Sequence, residues 1–311
     1  MPRALLITNP AAARTDVRAV HAVQDVLRRG GWSVEAAATT ASGDARRLAE
    51  LARTDGMEAV LCYGGDGTAM QAAAALAGGD VPLGIIPGGT GNLLAGNLRL
   101  PRRPVAAARA ILRGVPLAID LGTMQRADGL HCFAVCCGAG FDATLMARTN
   151  SAAKRRWRMG AYVQQALTAL GQVTSVHHRI MIDGAATRLE AAMVLVCNCA
   201  ELLPPLLRLH PEIRPDDGVL DVVALRAEGA WQSFTAFVEL LMGGTNQVWF
   251  GRGTEVTVEV EAGPAQPVQL DGEVAGETPF TARVLPRALR VFVDPDTVPG
   301  GVRPGKGGRG D

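Results

Sequence analysis

Several things are missing from these 311 residues, and each absence closes off a class of function. No stretch approaches the eighteen or so uninterrupted apolar residues that a membrane-crossing helix requires. The opening Arg3-Ala4-Leu5-Leu6-Ile7 has an apolar core too short for a secretory signal, and cleaving it would delete the first strand. Charge of one sign is not in excess. Lys plus Arg is 31 against 30 for Asp plus Glu, a formal net charge of +1, which excludes a global attraction to nucleic acid. The six cysteines form no CxxC pair and lie mostly in apolar runs, so they read as buried side chains, with a Cys197/Cys199 zinc or redox site as the alternative. There is no internal repeat. A cytoplasmic protein is the expectation, and 48% hydrophobic residues suffice for the cores of two domains.

The first 120 residues alternate strand-like and helix-like segments. Apolar runs at 4–8, 32–38, 59–63 and 83–86 read as strands, and 17–29, 44–53, 68–77, 92–97 and 104–113 read as helices. This alternation predicts an α/β domain with a parallel sheet covered by helices. After Pro116 the pattern changes. Short β-like runs at 117–121, 131–137, 177–182, 190–197, 219–225, 254–260, 268–270, 281–285 and 289–293 follow one another, interrupted by helical patterns at about 154–170 and 231–241. These predict a β-rich antiparallel domain over 121–297, and 298–311, rich in glycine and basic residues, reads as a disordered tail.

Two glycine-rich loops follow two of the parallel strands. Gly64-Gly65-Asp66-Gly67-Thr68 comes directly after 60–63, and Pro87-Gly88-Gly89-Thr90-Gly91-Asn92 directly after 84–86. Ligands of parallel sheets bind at the carboxyl ends of strands, and glycines there let backbone N–H groups approach an anion at a helix N-terminus. The pair reads as a phosphate cradle that lacks the GK[ST] ending of a P-loop.

These two loops resemble the diacylglycerol kinase catalytic domain, in the bacterial lipid kinase branch that is also similar to sphingosine and ceramide kinases. Four further segments match in family order: Asn9-Pro10, Gly138–Ala143 (GAGFDA), Pro215–Asp221 (PDDGVLD) and Leu270-Asp271-Gly272-Glu273 (LDGE). The resemblance implies a first domain similar to those of NAD kinase and phosphofructokinase. It implies transfer of the γ-phosphoryl of ATP to a lipid hydroxyl in a cleft between the domains. Asn9, the following alanines, Thr39, Gly64, Gly65, Asp66, Gly67, Thr68 and Thr90 would then touch the nucleotide. Glu273, with Asp271 beside it, would take the proton of the attacking hydroxyl. Read from the residues alone, Asp271-Gly272-Glu273 is first of all an ordinary β-turn, and only the resemblance turns it into a catalytic segment. The resemblance also implies Mg²⁺ held by Arg214, Asp217 and Val219, partly through main-chain carbonyls, with Asp66 linked through water and a second Mg²⁺ arriving with ATP.

The chain departs from the family at Met70 and Gln71, where Asn-Glu is usual, and at Ala13, often glycine. The alternatives are an NAD kinase-like enzyme acting on a soluble substrate, or a nucleotide- or lipid-binding regulator without catalysis. The expected partner is a lipid substrate at the membrane surface, reached by peripheral association with its inner face. The run Lys154–Arg158 (KRRWR) reads as a contact with anionic headgroups or as a solvated helix face, and 202–207 as a membrane-dipping loop or a buried crossing. His177-His178 reads as structural. An exposed strand edge in the second domain offers a route to a homodimer.

Overall fold

The computed structural model describes residues 1–126, 129–140, 175–204, 207–226, 244 and 246–294. The helices expected at 154–170 and 231–241, the basic run 154–158, the end of the GAGFDA segment, part of 202–207 and the tail lie outside the described residues. The chain divides into two compact units, 1–119 together with 287–294, and 120–286.

In the first unit β1 (Arg3–Thr8), α1 (Val17–Arg29), β2 (Ser33–Ala38), α2 (Asp44–Thr54), β3 (Ala59–Gly64), α3 (Asp66–Leu76), β4 (Leu83–Pro87), α4 (Leu93–Asn97) and α5 (Pro104–Arg113) follow in order. The strands lie parallel in the order β2-β1-β3-β4. Alternation along the strands sends Ala4, Leu6, Leu61, Tyr63 and Ile86 into one core with Val23 and Leu27 of α1 and Ala107, Ala108 and Ile111 of α5. α2 packs on α3, and their facing residues are mostly alanines, which lets the two helices lie close. Asp16 starts α1 by accepting the Ala19 N–H at 2.7 Å, and Gly30-Gly31 ends it, as its sequence pattern suggests.

The second unit is built from β5 (Val115–Arg126) from Asp120 on, β6 (Gly129–Phe133), β7 (Cys136–Gly140), β8 (Val176–Ile182), β9 (Ala185–Ala191), β10 (Met193–Cys197), β11 (Glu201–Leu203), β12 (Leu207–Arg208), β13 (Leu220–Leu225), β14 (Val248–Gly253), β15 (Glu255–Ala262), β16 (Pro267–Leu270), β17 (Glu273–Glu277) and most of β18 (Phe280–Val293). One antiparallel sheet runs β14-β13-β10-β7-β16-β17. It shares a core with β18-β15-β8-β9 and the β5–β6 pair: Val194, Val196, Leu220, Val222 and Val268 meet Phe133, Ile180, Val256, Val258 and Phe280. The five cysteines Cys62, Cys136, Cys137, Cys197 and Cys199 are buried free thiols.

The β-rich unit differs in detail from its sequence reading. The run 131–137 is two strands separated by Ala134 and Val135, and 190–197 is two strands that break at Ala192 and belong to different sheets. Conversely, 281–285 and 289–293 form one strand with a left-handed residue at Arg287 (φ 51°). The end of that strand returns to the first unit, where Val291 pairs with Leu83 and Phe292 meets Trp32 edge-on with ring centroids 5.7 Å apart.

Candidate functional site

At the first unit's carboxyl edge, Thr8 pairs with Ala38 on one side and Tyr63 on the other, and Gly64 pairs with Pro87. Asn9, Thr39, Gly64–Thr68 and Gly88–Thr90 therefore leave the sheet at the same edge. The chain steps from β1 outward to β2, then back past β1 to β3, so the topological switch point lies between Asn9 and the first glycine loop. Asn9 ties that point together. Its Nδ2 donates to Thr68 Oγ1 at 2.9 Å, its Oδ1 accepts the Ala11 N–H, and its own N–H donates to the Tyr63 carbonyl. Thr39 donates its N–H to the Thr8 carbonyl and is half-buried, while Thr90 is exposed.

Arg14 was not singled out by the sequence. Its N–H donates to the Gly88 carbonyl, and its carbonyl accepts the Tyr63 hydroxyl at 2.6 Å. The backbone is thus clamped to both loop-bearing strands. The side chain is exposed and has no ion pair among the described residues. A lone cation in an alanine-rich stretch beside Asn-Pro was the available signal.

The two glycine loops touch. The Gly88 N–H donates to the Gly64 carbonyl at 2.7 Å, and a Cβ on Gly89 would fall 2.7 Å from the Gly65 Cα. Gly65 is different. Its φ of −88° suits any residue, and a Cβ there would make an ordinary 3.5 Å contact. The fold does not demand glycine at 65, so its lack of a side chain serves the open side of the loop. Asp66 faces inward. Its Oδ2 accepts the Asn92 N–H at 2.7 Å and its Oδ1 the Leu93 N–H at 2.6 Å, and burial raises its pKa against these amides. The first amides of α4 are therefore occupied by Asp66, and α4 has only five residues. Of the two loops expected to cradle phosphate, the first keeps a helix start of full length. Gln71 accepts the Gly43 N–H at 3.1 Å, so the departure from Glu keeps an acceptor that fastens the loop after β2.

In the second unit Asp271 and Gly272 join β16 to β17, with Leu270 paired to Glu273. Both have positive φ, 46° and 86°, the conformation of a tight two-residue hairpin turn that Asp-Gly favours. The Asp271 carboxylate accepts three backbone N–H groups from the bend between β6 and β7: Ala134 at 2.8 Å on Oδ2, and Val135 and Cys136 at 2.9 Å on Oδ1. Its own N–H donates to the Cys136 carbonyl, and the Gly272 N–H donates to Gln269 Oε1. Both oxygens of Asp271 are thus engaged in fixing the turn. Glu273, two residues on, is exposed and its carboxylate has no partner among the described residues.

The 212–221 segment is held from two sides. Asp120, fully buried, accepts the Gly218 N–H at 2.7 Å and donates its own N–H to the Pro215 carbonyl. Arg252 donates from Nε and Nη2 to Asp221 Oδ1, from Nη2 to the Glu212 carbonyl, and lies 3.5 Å from Asp217 Oδ2. Arg214 forks onto Asp216. Burial raises the Asp217 pKa, helped by the charges of Asp120 and Asp216, and pushes Asp221 up to about 6 despite Arg252. Among the described residues no group of three or more His, Cys, Asp or Glu side chains is placed to hold a metal. The Asp217 carboxylate with the Arg214 and Val219 carbonyls is instead an all-oxygen set of the kind that Mg²⁺ accepts when it keeps several waters. Asp120 and Arg252, which shape this segment, gave no sequence signal beyond their charge, because their partners lie 31 to 98 residues away, whereas Asp221 was visible as the last residue of the PDDGVLD match.

Residues 3–124 match the diacylglycerol kinase catalytic domain, and residues 135–293 match the YegS C-terminal NAD kinase beta sandwich-like domain. A protein of Mycobacterium tuberculosis (strain ATCC 25618 / H37Rv) named "Diacylglycerol kinase" is 30% identical over 293 residues, covering 92% of this chain and 93% of its own. The "Probable lipid kinase YegS-like" of Pseudomonas aeruginosa (strain UCBPP-PA14) is 32% identical over 293 residues and covers 93% of both. The fold is similar to a crystal structure of a diacylglycerol kinase from Bacillus anthracis str. Sterne, with a TM-score of 0.74 at 21% identity over 95% of this chain and 98% of that one. The chain therefore belongs to the diacylglycerol kinase family, in its branch of bacterial YegS-like proteins, and is a lipid kinase.

Proposed function

We propose that the protein transfers the γ-phosphoryl group of ATP to the hydroxyl of a diacylglycerol-like lipid at the membrane surface, with Glu273 as the base. The observation that carries this reading is the unequal use of two neighbouring carboxylates: Asp271 is spent on three backbone amides, whereas Glu273 stands exposed, with no partner among the described residues, on the turn that Asp271 fixes. A lipid alcohol is a weak nucleophile at neutral pH. The Glu273 carboxylate takes the hydroxyl proton as the oxygen bonds to the γ-phosphorus, and the bond to the β-phosphate oxygen breaks with its electron pair leaving on ADP. In this reading the nucleotide phosphates lie at the loop of Gly64, Gly65, Asp66, Gly67 and Thr68. Asn9 orients Thr68, Thr39 and Thr90 border the nucleotide, and the Gly65 backbone is open to it. Asp66 positions the second loop.

Mg²⁺ would be held by the Asp217 carboxylate and the Arg214 and Val219 carbonyls, and when bound it supplies positive charge near the phosphates. Incubating the protein with labelled ATP and a lipid extract, and identifying the labelled product by mass, tests the assignment. A phosphorylated lipid, lost in Glu273→Gln, is expected. Label on NAD instead would establish the NAD kinase-like alternative, and no transfer to any acceptor would leave a binding regulator.

A further inference from the structure

The two helical layers of the first unit carry charge very differently. On the α2 side the charges are mixed and mated: Arg46 with Glu50 at 3.1 Å and Arg47 with Asp44 at 3.3 Å. On the α1/α5 side they are mostly basic. The stretch 93–113 holds five arginines and no carboxylate. Arg18, Arg28, Arg29, Arg103, Arg109 and Arg113 are all exposed. α1 and α5 lie side by side with their C-terminal ends together, Gly30 directly against Leu112, so these arginines share one layer. The acidic groups there are few. Asp16 is used as a helix cap, Asp294 pairs with Arg113, and Asp25 remains. A chain of net charge +1 has thus segregated positive charge onto one face.

Helix stability accounts for only half of this. Arg28, Arg29 and Arg113 sit in last turns, where a cation complements the helix dipole. Arg18 lies in the first turn of α1, and Arg103 is the N-cap of α5 and makes no capping bond, so both oppose the dipole. Arg18, Arg29, Arg103 and Arg109 have no ion pair among the described residues. Unpaired cations at positions unfavourable to the helices that carry them point to an anion outside the protein.

We infer that the outer face of α1 and α5 docks on the anionic surface of a lipid bilayer. A lipid kinase must reach a substrate that resides in a bilayer, and a layer of exposed guanidiniums complements phosphate headgroups. Exposed Val17 beside Arg18 adds an apolar contact at one end of the layer. The inference does not depend on which residue is the base.

The test is co-sedimentation with phosphatidylcholine vesicles with and without phosphatidylglycerol, for the wild type and for Arg18→Gln/Arg29→Gln/Arg103→Gln/Arg109→Gln. The wild type is expected to bind the anionic vesicles preferentially and to release them as salt is raised. The quadruple variant, substituted only at exposed positions, is expected to lose binding roughly fivefold per arginine neutralised. It should keep its turnover on a short-chain diacylglycerol dispersed without a bilayer. Equal binding of neutral and anionic vesicles by the wild type would overturn the inference, as would a folded variant that binds anionic vesicles like the wild type. Retention on duplex DNA with no vesicle preference would assign the face to nucleic acid and also overturn it.

Discussion

The GGDGT loop of the first unit and the LDGE turn of the second each carry an aspartate, and in both the aspartate does the same thing. Asp66 takes the amides of Asn92 and Leu93, and Asp271 takes those of Ala134, Val135 and Cys136. Each welds a glycine-bearing turn to a second segment of its own unit. The turns differ in what they leave over. Beside Asp66 there is only backbone, a glycine loop opening α3. Beside Asp271 there is a second carboxylate, Glu273, that has no partner among the described residues. An acidic residue within a motif is therefore not by itself a chemical group; its acceptors must first be counted against the amides that surround it.

The largest effect expected from this comparison is on Asp271. Asp271→Ala strands three N–H groups and frees a turn that needs two positive φ values. We expect a loss of at least about 3 kcal/mol in urea denaturation, with activity lost as a consequence. Asp66→Ala strands fewer amides and should cost about 1–3 kcal/mol, and should loosen nucleotide binding through the second loop. Wild-type stability in either variant would break the parallel.

The glycine loops sharpen the contrast further. Gly89→Ala places a methyl group 2.7 Å from the Gly65 backbone and should destabilise the first unit by roughly 1–3 kcal/mol. Gly65→Ala fits the fold and should leave the melting temperature nearly unchanged while weakening ATP binding, measured calorimetrically. If Gly65→Ala bound ATP normally, the loop would be only a turn.

The smallest effect is on the pH dependence of stability. Burial raises the Asp221 pKa from about 3.8 to about 6 in the folded protein, so the folded state holds its proton more tightly than the unfolded state. This contribution is fully present below about pH 4, is lost as pH rises to about 6, and is flat above. Asp221→Asn should remove a decline on the order of 2 kcal/mol across that window. An unchanged slope would show that Asp221 is ionised throughout.

How far these features could be read from the sequence depended on the distance between partners. α1 and α5 were legible to the residue, because a 3.6-residue apolar period and the flanking Gly30 and Gly114 are local signals. The glycine loops were legible because they directly follow apolar runs. The break at Ala134 and Val135 was not. Its purpose is to turn three amides toward Asp271, more than 130 residues away, and nothing in the run 131–137 announces it. The same holds for the return of β18 to the first unit, which is fixed by Val291 against Leu83. Glu273 was visible only through its place in LDGE; its freedom and the confinement of Asp271 both required the three-dimensional arrangement.

The most direct measurement compares Glu273→Gln with Asp271→Asn in the same turnover assay and the same melting experiment. The account predicts that Glu273→Gln lowers kcat by about 10²- to 10⁴-fold at an unchanged melting temperature. Asp271→Asn, which aims an amide NH₂ at backbone donors, should lower the melting temperature by several degrees. Near-normal turnover in Glu273→Gln, together with an inactive Asp271→Asn that melts like the wild type, would contradict it and make Asp271 the base.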